Sequence, residues 1–456
     1  MEPFATPQPD ERRTELRRSL RSALIGNTLE YFDWTIYATF SPFIAKSLFS
    51  ASDPTSGVLL TLAIFAVAFV ARPIGGAVFG RIADQRGRKT ALMWSMVLMG
   101  FGSLLLALIP SYAQIGVAAS ILLTFVRLLQ GLAYGGETSA SYIYVSELAP
   151  NSRRGLWSSS VFASVSVGAI AGTLSGFILT NVLEPDFLRT WGWRIPFIVG
   201  AILSVYALRL RMNSVETEVG ETLTQKSEES AETVTIPMSA EQKRDAVLQL
   251  VRLFCILGAT NVAFYTWLSF ASTYAITSLG MNSRSAFAAS LAAQTLTLAF
   301  FPLFGLLSDR FGRKPVALIA TVGFAVITFP LAQVLNANPI SLFTAQFIAL
   351  VFWAAIGSIW PAILSENVTP RMRAVGLGIT TSLASGVFGG TAPYLNTWLT
   401  SIDMQWVFSA YLVALMLMAS VLLTTMRETK GIDLTTMKIQ ESTGDTPEEH
   451  HVFAGR

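Results

Sequence analysis

With 456 residues, 52% of them hydrophobic and only 13% charged, the chain lacks the composition of a soluble globular protein, in which about a quarter of residues carry charge. Its net charge of +3 gives no reason to expect nucleic-acid binding. A single cysteine, Cys255, excludes an intramolecular disulfide or a multi-cysteine metal site, and the two histidines, His450 and His451, both lie in the polar C-terminal tail. A proton relay or metal site inside a membrane therefore has no imidazole to use, and no cofactor is expected.

Residues 1–21 are polar, include Arg12, Arg13, Arg17, Arg18 and Arg21, and read as a cytosolic tail. The apolar run that follows is long, contains Glu30 and Asp33, and lacks a small-residue cleavage site, so it reads as a first span rather than a signal peptide. Repeated apolar runs and a mean hydropathy of +0.52 fit helices that cross a bilayer. They place spans at 22–48, 56–80, 90–110, 116–146, 156–182 and 193–211, then at 247–276, 284–307, 315–336, 341–366, 373–399 and 403–426. The expected fold is an all-α integral membrane protein of twelve transmembrane helices. Two six-helix bundles, 22–211 and 247–426, flank a cytosolic linker at 212–246 rich in Glu, Ser and Thr, and a second tail occupies 427–456. On this topology Lys46, Arg189, Arg194 and Arg284 fall outside and Arg72 and Arg127 fall within spans, while the rest of the 32 Lys and Arg are cytosolic. That asymmetry puts both termini inside.

One stretch occurs twice. Gly80-Arg81-Ile82-Ala83-Asp84-Gln85-Arg86-Gly87-Arg88-Lys89 returns as Gly305-Leu306-Leu307-Ser308-Asp309-Arg310-Phe311-Gly312-Arg313-Lys314, with Gly, Asp, Gly, Arg and Lys at identical internal spacing. A second repeat agrees in register: Ser146-Glu147 leads to Arg153, Arg154 and Gly155, and Ser365-Glu366 leads to Pro370, Arg371, Arg373 and Gly376. Two motifs aligning the same halves indicate parallel bundles related by a pseudo-twofold axis along the membrane normal. Both pairs fall on the cytosolic face. Gly80, Asp84, Gly87, Arg88, Glu147 and Arg153, with Asp309, Arg313, Glu366 and Arg373, are expected to pair across the halves and close that side.

Charges deep in a span are costly and mark a site by default. Here they are Glu30, Asp33, Arg72, Arg127 and Glu137, all in the first half. Glu30, Asp33 and Tyr37 share one helical stripe, and Arg127, Gln130 and Tyr134 share another; two such stripes imply a wet cavity. The second half offers Asn261 and Tyr265 on one face, while Trp267, Trp353 and Trp360 read as packing or lipid-facing residues. Gly168, Gly172 and Gly176 are spaced for close helix packing. Nothing resembles a catalytic triad or a phosphate loop, so neither an enzyme nor an ATP-driven pump is indicated.

Twelve spans with the doubled G-x-x-x-D-x-x-G-R-K turn resemble the major facilitator superfamily. Gly26-Asn27-Thr28-Leu29-Glu30-Tyr31-Phe32-Asp33, Arg72-Pro73-Ile74-Gly75-Gly76, Arg127-Leu128-Leu129-Gln130-Gly131 and Trp191-Gly192-Trp193-Arg194-Ile195-Pro196-Phe197 narrow the likeness to its metabolite–proton symporters. That family imports organic acids and compatible solutes, among them alpha-ketoglutarate, citrate, shikimate and proline/betaine, together with protons. The run Gly135-Gly136-Glu137-Thr138-Ser139-Ala140-Ser141-Tyr142 is most similar to its alpha-ketoglutarate carriers. The seventh span departs from them, reading Ser269-Phe270-Ala271-Ser272-Thr273-Tyr274 where a lysine is expected. The resemblance implies a monomeric, multi-pass carrier in a bacterial plasma membrane. Its substrate would be a small organic acid or a zwitterion, contacted by Arg127, Arg72, Tyr31, Tyr37, Gln130, Tyr134, Asn261 and Tyr265. Asp33, Glu137 or Glu30 would carry the proton. A drug–proton exporter and a non-transporting membrane sensor are the competing readings; the fifth span lacks the Gly-Pro pair of many exporters, and no signalling domain is attached.

Overall fold

The computed structural model describes residues 9–50, 54–86, 88–135, 137–213 and 239–434. Within those ranges the side-chain surroundings of several positions, Gly80, Asp84, Arg88, Glu137 and Arg371 among them, lie outside the description, as do Gly87 and most of the linker. The described residues form helices and their connections, with no strand among them. Six spans precede the linker: Pro9–Leu48, Pro54–Val70 with Arg72–Arg86, Arg88–Leu108, Ala118–Tyr134 with Glu137–Leu148, Arg154–Val182 and Ile195–Asn213. The second half repeats the order. It runs through Ala240–Phe264 with Ala271–Thr277, Ser283–Thr297 with Phe300–Phe311, Arg313–Val334, Pro339–Gly357 with Trp360–Asn367, Pro370–Ala384 with Ala392–Ser401, and Gln405–Thr425.

Seven of these rods are long and apolar enough on their own to cross a membrane. The first span falls short because it carries polar residues and the buried Glu30 and Asp33, and the apolar helices of the third and fourth are short. The first helix also starts at Pro9, so the polar segment read as a tail is helical over part of its length.

Most breaks have a local cause. Proline lacks an N–H and clashes with the carbonyl four residues back. Pro73 follows the break at Ala71, Pro302 that at 298–299, and Pro361 that at 358–359. Spans seven and eleven instead break at π-turns, Tyr265–Ser269 and Ser385–Gly389. Two carbonyls of the first π-turn are taken up by buried amides: Gln346 Nε2 donates to Trp267 O at 2.7 Å and Gln294 Nε2 to Leu268 O at 2.9 Å. Such rescue is what low-dielectric surroundings demand of freed backbone groups.

Glycine decides how closely the spans of the first half approach. A methyl on Gly131 would run into the carbonyl of Ala68, and one on Gly75 into that of Leu132, so spans two and four touch backbone to backbone beside Arg72 and Arg127. Spans one and five meet likewise: a methyl on Gly172 would stand 2.8 Å from Thr35 Cγ2. Replacing Gly172 by Leu is expected to destabilise the fold by about 1–3 kcal/mol through overpacking. The thermal midpoint in detergent checks this; an unchanged midpoint would show that the two spans can part freely.

Candidate functional site at the interface of the two halves

The halves enclose a small central cavity of ≈ 30 Å³, room for only a few waters. Tyr31, Arg72, Tyr134, Tyr142 and Phe162 line it from the first half. Leu257, Thr260, Asn261, Phe264, Trp353, Trp360, Thr381, Ser382 and Ser385 line it from the second. Trp353 and Trp360 are 3% and 1% exposed, and Trp267 is also buried, so of the two expected placements, packing and lipid-facing, these three take the first, and Trp353 and Trp360 also line the cavity. Tyr142–Phe162–Trp353–Phe264–Tyr31 form a continuous belt of touching rings, with centroid separations of 5.6, 5.6, 4.8 and 5.8 Å.

Arg72 reaches the cavity because its helix starts at the Pro73 break. Its guanidinium packs on Trp34 and Phe69, 4.4 and 4.3 Å from the ring centroids. Its Nε and Nη2 are buried without a hydrogen-bond partner. Cation–π contact offsets part of the insertion cost of the charge and leaves N–H groups to receive an anion. Arg127 differs. It is 0% exposed, does not line the cavity, and lies under Tyr37, Trp34 and Phe65, with ring distances of 4.0, 4.5 and 5.7 Å. The stripe of Arg127, Gln130 and Tyr134 therefore does not open as a whole onto the cavity, because three rings roof its first member.

Asp33 is the hub of the polar network. Its Oδ1 accepts from Ser103, and its Oδ2 accepts from Gln130 Nε2 at 2.9 Å and from the Tyr134 hydroxyl at 2.8 Å. Gln130 also donates to Ser103 Oγ at 3.1 Å, and its Oε1 accepts from Arg127 Nη1 at 2.9 Å. Asp33 and Arg127 thus form no direct ion pair; one amide bridges them. Tyr37, one of the rings that cover Arg127, donates to Thr61 O at 3.0 Å. Glu30 is 1% exposed on the same span and stands near Tyr31, Tyr142 and Tyr265. Asn261 donates to Ser385 Oγ at 3.3 Å, and Tyr265 packs on Phe69 behind the cavity wall. Glu137 lies outside the described side chains. Sequence reasoning missed Ser103 and Trp34. A serine in an apolar run is common, and its role depends on how the third span is rotated.

The end of the bundles that carries the duplicated turns is closed by charges from both halves. Asp309 accepts from the backbone N–H groups of Gly155 and Leu156, at 2.8 and 2.9 Å, at the start of helix Arg154–Val182. A carboxylate is favoured at this positive helix end. Gly155 permits the contact, since a methyl there would lie 2.6 Å from Gly305 O. Arg313 pairs with Asp309 at 2.8 Å and with Glu366 at 3.3 Å, and Arg154 pairs with Glu366 at 2.8 Å. Arg373 meets Glu147 at 3.2 Å. Arg153 is exposed; its neighbour Arg154 occupies the network instead, and also donates to Ile432 O at 2.9 Å. Thr429 donates to Glu366 Oε2 at 2.6 Å, so the segment after the last span straps this closure. Gly80, Asp84, Gly87 and Arg88 fall outside the described side chains. On the opposite side Thr273 donates to Ala38 O at 2.7 Å and Arg284 to Thr180 O at 2.6 Å, again between halves.

Glu366→Gln is expected to weaken this charged closure by about 3–5 kcal/mol, the scale for breaking a buried ion pair. A cysteine at Ser365, whose buried hydroxyl has no partner, placed in a Cys255→Ser background, would report this as faster labelling from the side that carries the duplicated turns. Labelling at the unaltered rate would show that Glu366 does not hold the halves together.

Two bundles closing over a central cavity, with charged locks at the end that carries the duplicated turns, have the architecture of a membrane carrier. Residues 21–440 match the family model described as sugar (and other) transporter, and the chain belongs to this family of the major facilitator superfamily. It is similar to the alpha-ketoglutarate permease of Escherichia coli (strain K12), with 35% identity over 89% of this chain and 92% of the relative. The citrate-proton symporter of Salmonella typhi is 31% identical over 83% and 86%. The proline/betaine transporter of Escherichia coli (strain K12) is 31% identical over 94% and 88%. The solved proton:xylose symporter XylE bound to 6-bromo-6-deoxy-D-glucose superposes with a TM-score of 0.76 at 18% identity, covering 94% of this chain and 99% of that one. That likeness speaks for the fold alone.

Proposed function

We propose that the chain imports a small organic acid, alpha-ketoglutarate or a related carboxylate, together with protons by alternating access. The observation that carries this reading is Arg72, a buried guanidinium lining the cavity between the halves, whose Nε and Nη2 have no hydrogen-bond partner. A substrate carboxylate is the complementary ligand. Asp33, one residue layer behind, is the proton carrier, with Glu30 and Glu137 as the other carboxylates of the same bundle. Arg127 acts behind the cavity wall, through Gln130, as the counter-charge of Asp33. The similarity to an alpha-ketoglutarate permease and a citrate-proton symporter supports the same substrate class. The cavity is too small for such an acid as it stands, so loading requires the halves to part on one side while the other lock holds. In this reading the protein works as a monomer in a bacterial plasma membrane, with both termini cytosolic.

A second reading rests on the ring belt. Among the described residues no guanidinium or ammonium lies over Tyr142, Phe162, Trp353, Phe264 or Tyr31. Vacant aromatic faces beside an arginine suit a zwitterion, its carboxylate on Arg72 and its ammonium against the rings. The proline/betaine relatives share that direction. Uptake of labelled alpha-ketoglutarate, citrate, shikimate, proline and glycine betaine into proteoliposomes, with and without an imposed pH gradient, separates the two. Gradient-driven accumulation of an acid supports the first reading, and accumulation of proline or betaine alone selects the second. Failure of all five to accumulate rules out both.

A further inference from the structure

The groups around Asp33 suggest how a proton and a substrate carboxylate become obligatory partners, an inference that rests on the proton-coupled reading above. The carboxylate accepts three hydrogen bonds, from the hydroxyls of Ser103 and Tyr134 and from the amide of Gln130. All three donors are neutral. A protonated carboxyl has one hydrogen to give and fewer lone pairs to offer, so one donor must turn round. The amide N–H of Gln130 cannot accept. A hydroxyl can.

The two hydroxyls differ in what lies beyond them. Ser103 is 1% exposed on the third span and does not line the cavity; its released O–H would stay buried in the first bundle, competing with the amide that already donates to its oxygen. Tyr134 spans the distance. Its hydroxyl sits on Asp33 Oδ2, while the residue forms part of the cavity wall beside Arg72, whose guanidinium carbon is 5.7 Å from the ring centroid.

We infer that Tyr134 is a phenol switch that couples protonation of Asp33 to carboxylate binding in the cavity. With Asp33 ionised, the Tyr134 O–H is committed to Oδ2. When a proton from the medium lands on Oδ2, the new O–H donates to the Tyr134 oxygen, and the remaining lone pair of Oδ2 still accepts from Gln130. Oδ1 keeps its bond from Ser103. The Tyr134 O–H rotates away from Asp33 and donates, with Arg72, to the substrate carboxylate. The proton stays on Asp33 throughout; no covalent bond of the tyrosine breaks. Each ligand favours the state that the other needs, which is the reciprocal coupling a symporter requires. The charged and titratable groups facing this pair are Glu30 from the same span as Asp33, Arg127 from the same span as Tyr134, and Arg72 from the second span. Tyr31, Tyr142 and Tyr265 complete the surroundings of Glu30.

The sign follows directly. Protonation frees the phenol, so substrate affinity rises as pH falls. Above the titration of Asp33 the dissociation constant of a one-proton-linked substrate increases about tenfold per pH unit. The test is equilibrium binding and uptake against pH, using whichever of alpha-ketoglutarate, citrate, shikimate, proline or glycine betaine the wild type accumulates. Tyr134→Phe keeps the ring and removes the hydroxyl, and is expected to bind weakly with a dissociation constant flat in pH. Ser103→Ala is expected to keep the slope, displaced along the pH axis. Asp33→Asn, whose amide N–H donates to the phenol oxygen as the protonated acid would, is expected to bind tightly and independently of pH. This variant also decides the matter should Tyr134→Phe fail to reach the membrane. A Tyr134→Phe carrier that retains the slope, or an Asp33→Asn carrier locked at weak affinity, overturns the switch alone. A wild type that accumulates none of the five overturns the proton-coupled reading with it.

Discussion

Asp33→Asn is expected to exchange substrate across the membrane while losing the ability to concentrate it. Its neighbours form a pocket that an asparagine can occupy: Ser103 still finds the amide oxygen, Gln130 keeps Ser103 Oγ as an acceptor, and the amide N–H meets a tyrosine oxygen that can accept. The loaded carrier can therefore still pass between its two closures. What disappears is a group that changes charge, and with it the only way the pH gradient acts at this position. In proteoliposomes counterflow should persist within a few-fold of wild type, whereas gradient-driven accumulation should fall to the equilibrium ratio of one. If the variant accumulates substrate like the wild type, the coupling carboxylate is elsewhere, and Glu30 and Glu137 are next to test.

Arg72→Gln is the second large effect. Its Nε and Nη2 have no hydrogen-bond partner beside the cavity, and two rings hold the guanidinium there. Hydrogen bonds to charged groups contribute up to about 3 kcal/mol, which corresponds to about a 100-fold rise in dissociation constant. Arg72→Lys should recover part of this, because an ammonium restores the charge but not the planar fork. Arg127→Gln offers the contrast. Its partner across the bridging amide is Asp33, so it should disturb coupling more than affinity. Binding that survives in Arg72→Gln and collapses in Arg127→Gln would reverse the two roles.

The contrast between these arginines shows where sequence reasoning stops. Both lie near mid-span by counting residues from a charged end, and both are costly enough there to mark a site. Depth is a one-dimensional quantity that apolar run length determines. Which arginine meets the cavity depends on the direction its helix turns and on what covers it: a Pro73 break sets Arg72 at a helix start, and Trp34, Tyr37 and Phe65 roof Arg127. The charged lock between the halves shows the same limit. Duplicated motifs placed Asp309, Arg313 and Glu366 on one face of the membrane, yet Arg153 and Arg154 differ by one residue of helix phase, and only Arg154 points inward. Ser103 carried no signal, since the partner that gives it meaning is 70 residues away.

Sequence alone determined the twelve spans, the two repeated halves, the charges placed within spans and the doubled turn. Hydropathy, the expense of charge in lipid and exact repetition are local properties, readable one residue at a time. The tertiary structure decided that Asp33 is bridged to Arg127 rather than paired with it, that Arg72 and a belt of rings face the cavity, and that Tyr134 touches both the proton site and the cavity wall. Those facts depend on the rotation and contact of helices far apart in the chain, and apolar patterning leaves that rotation open when both lipid and protein interior are apolar.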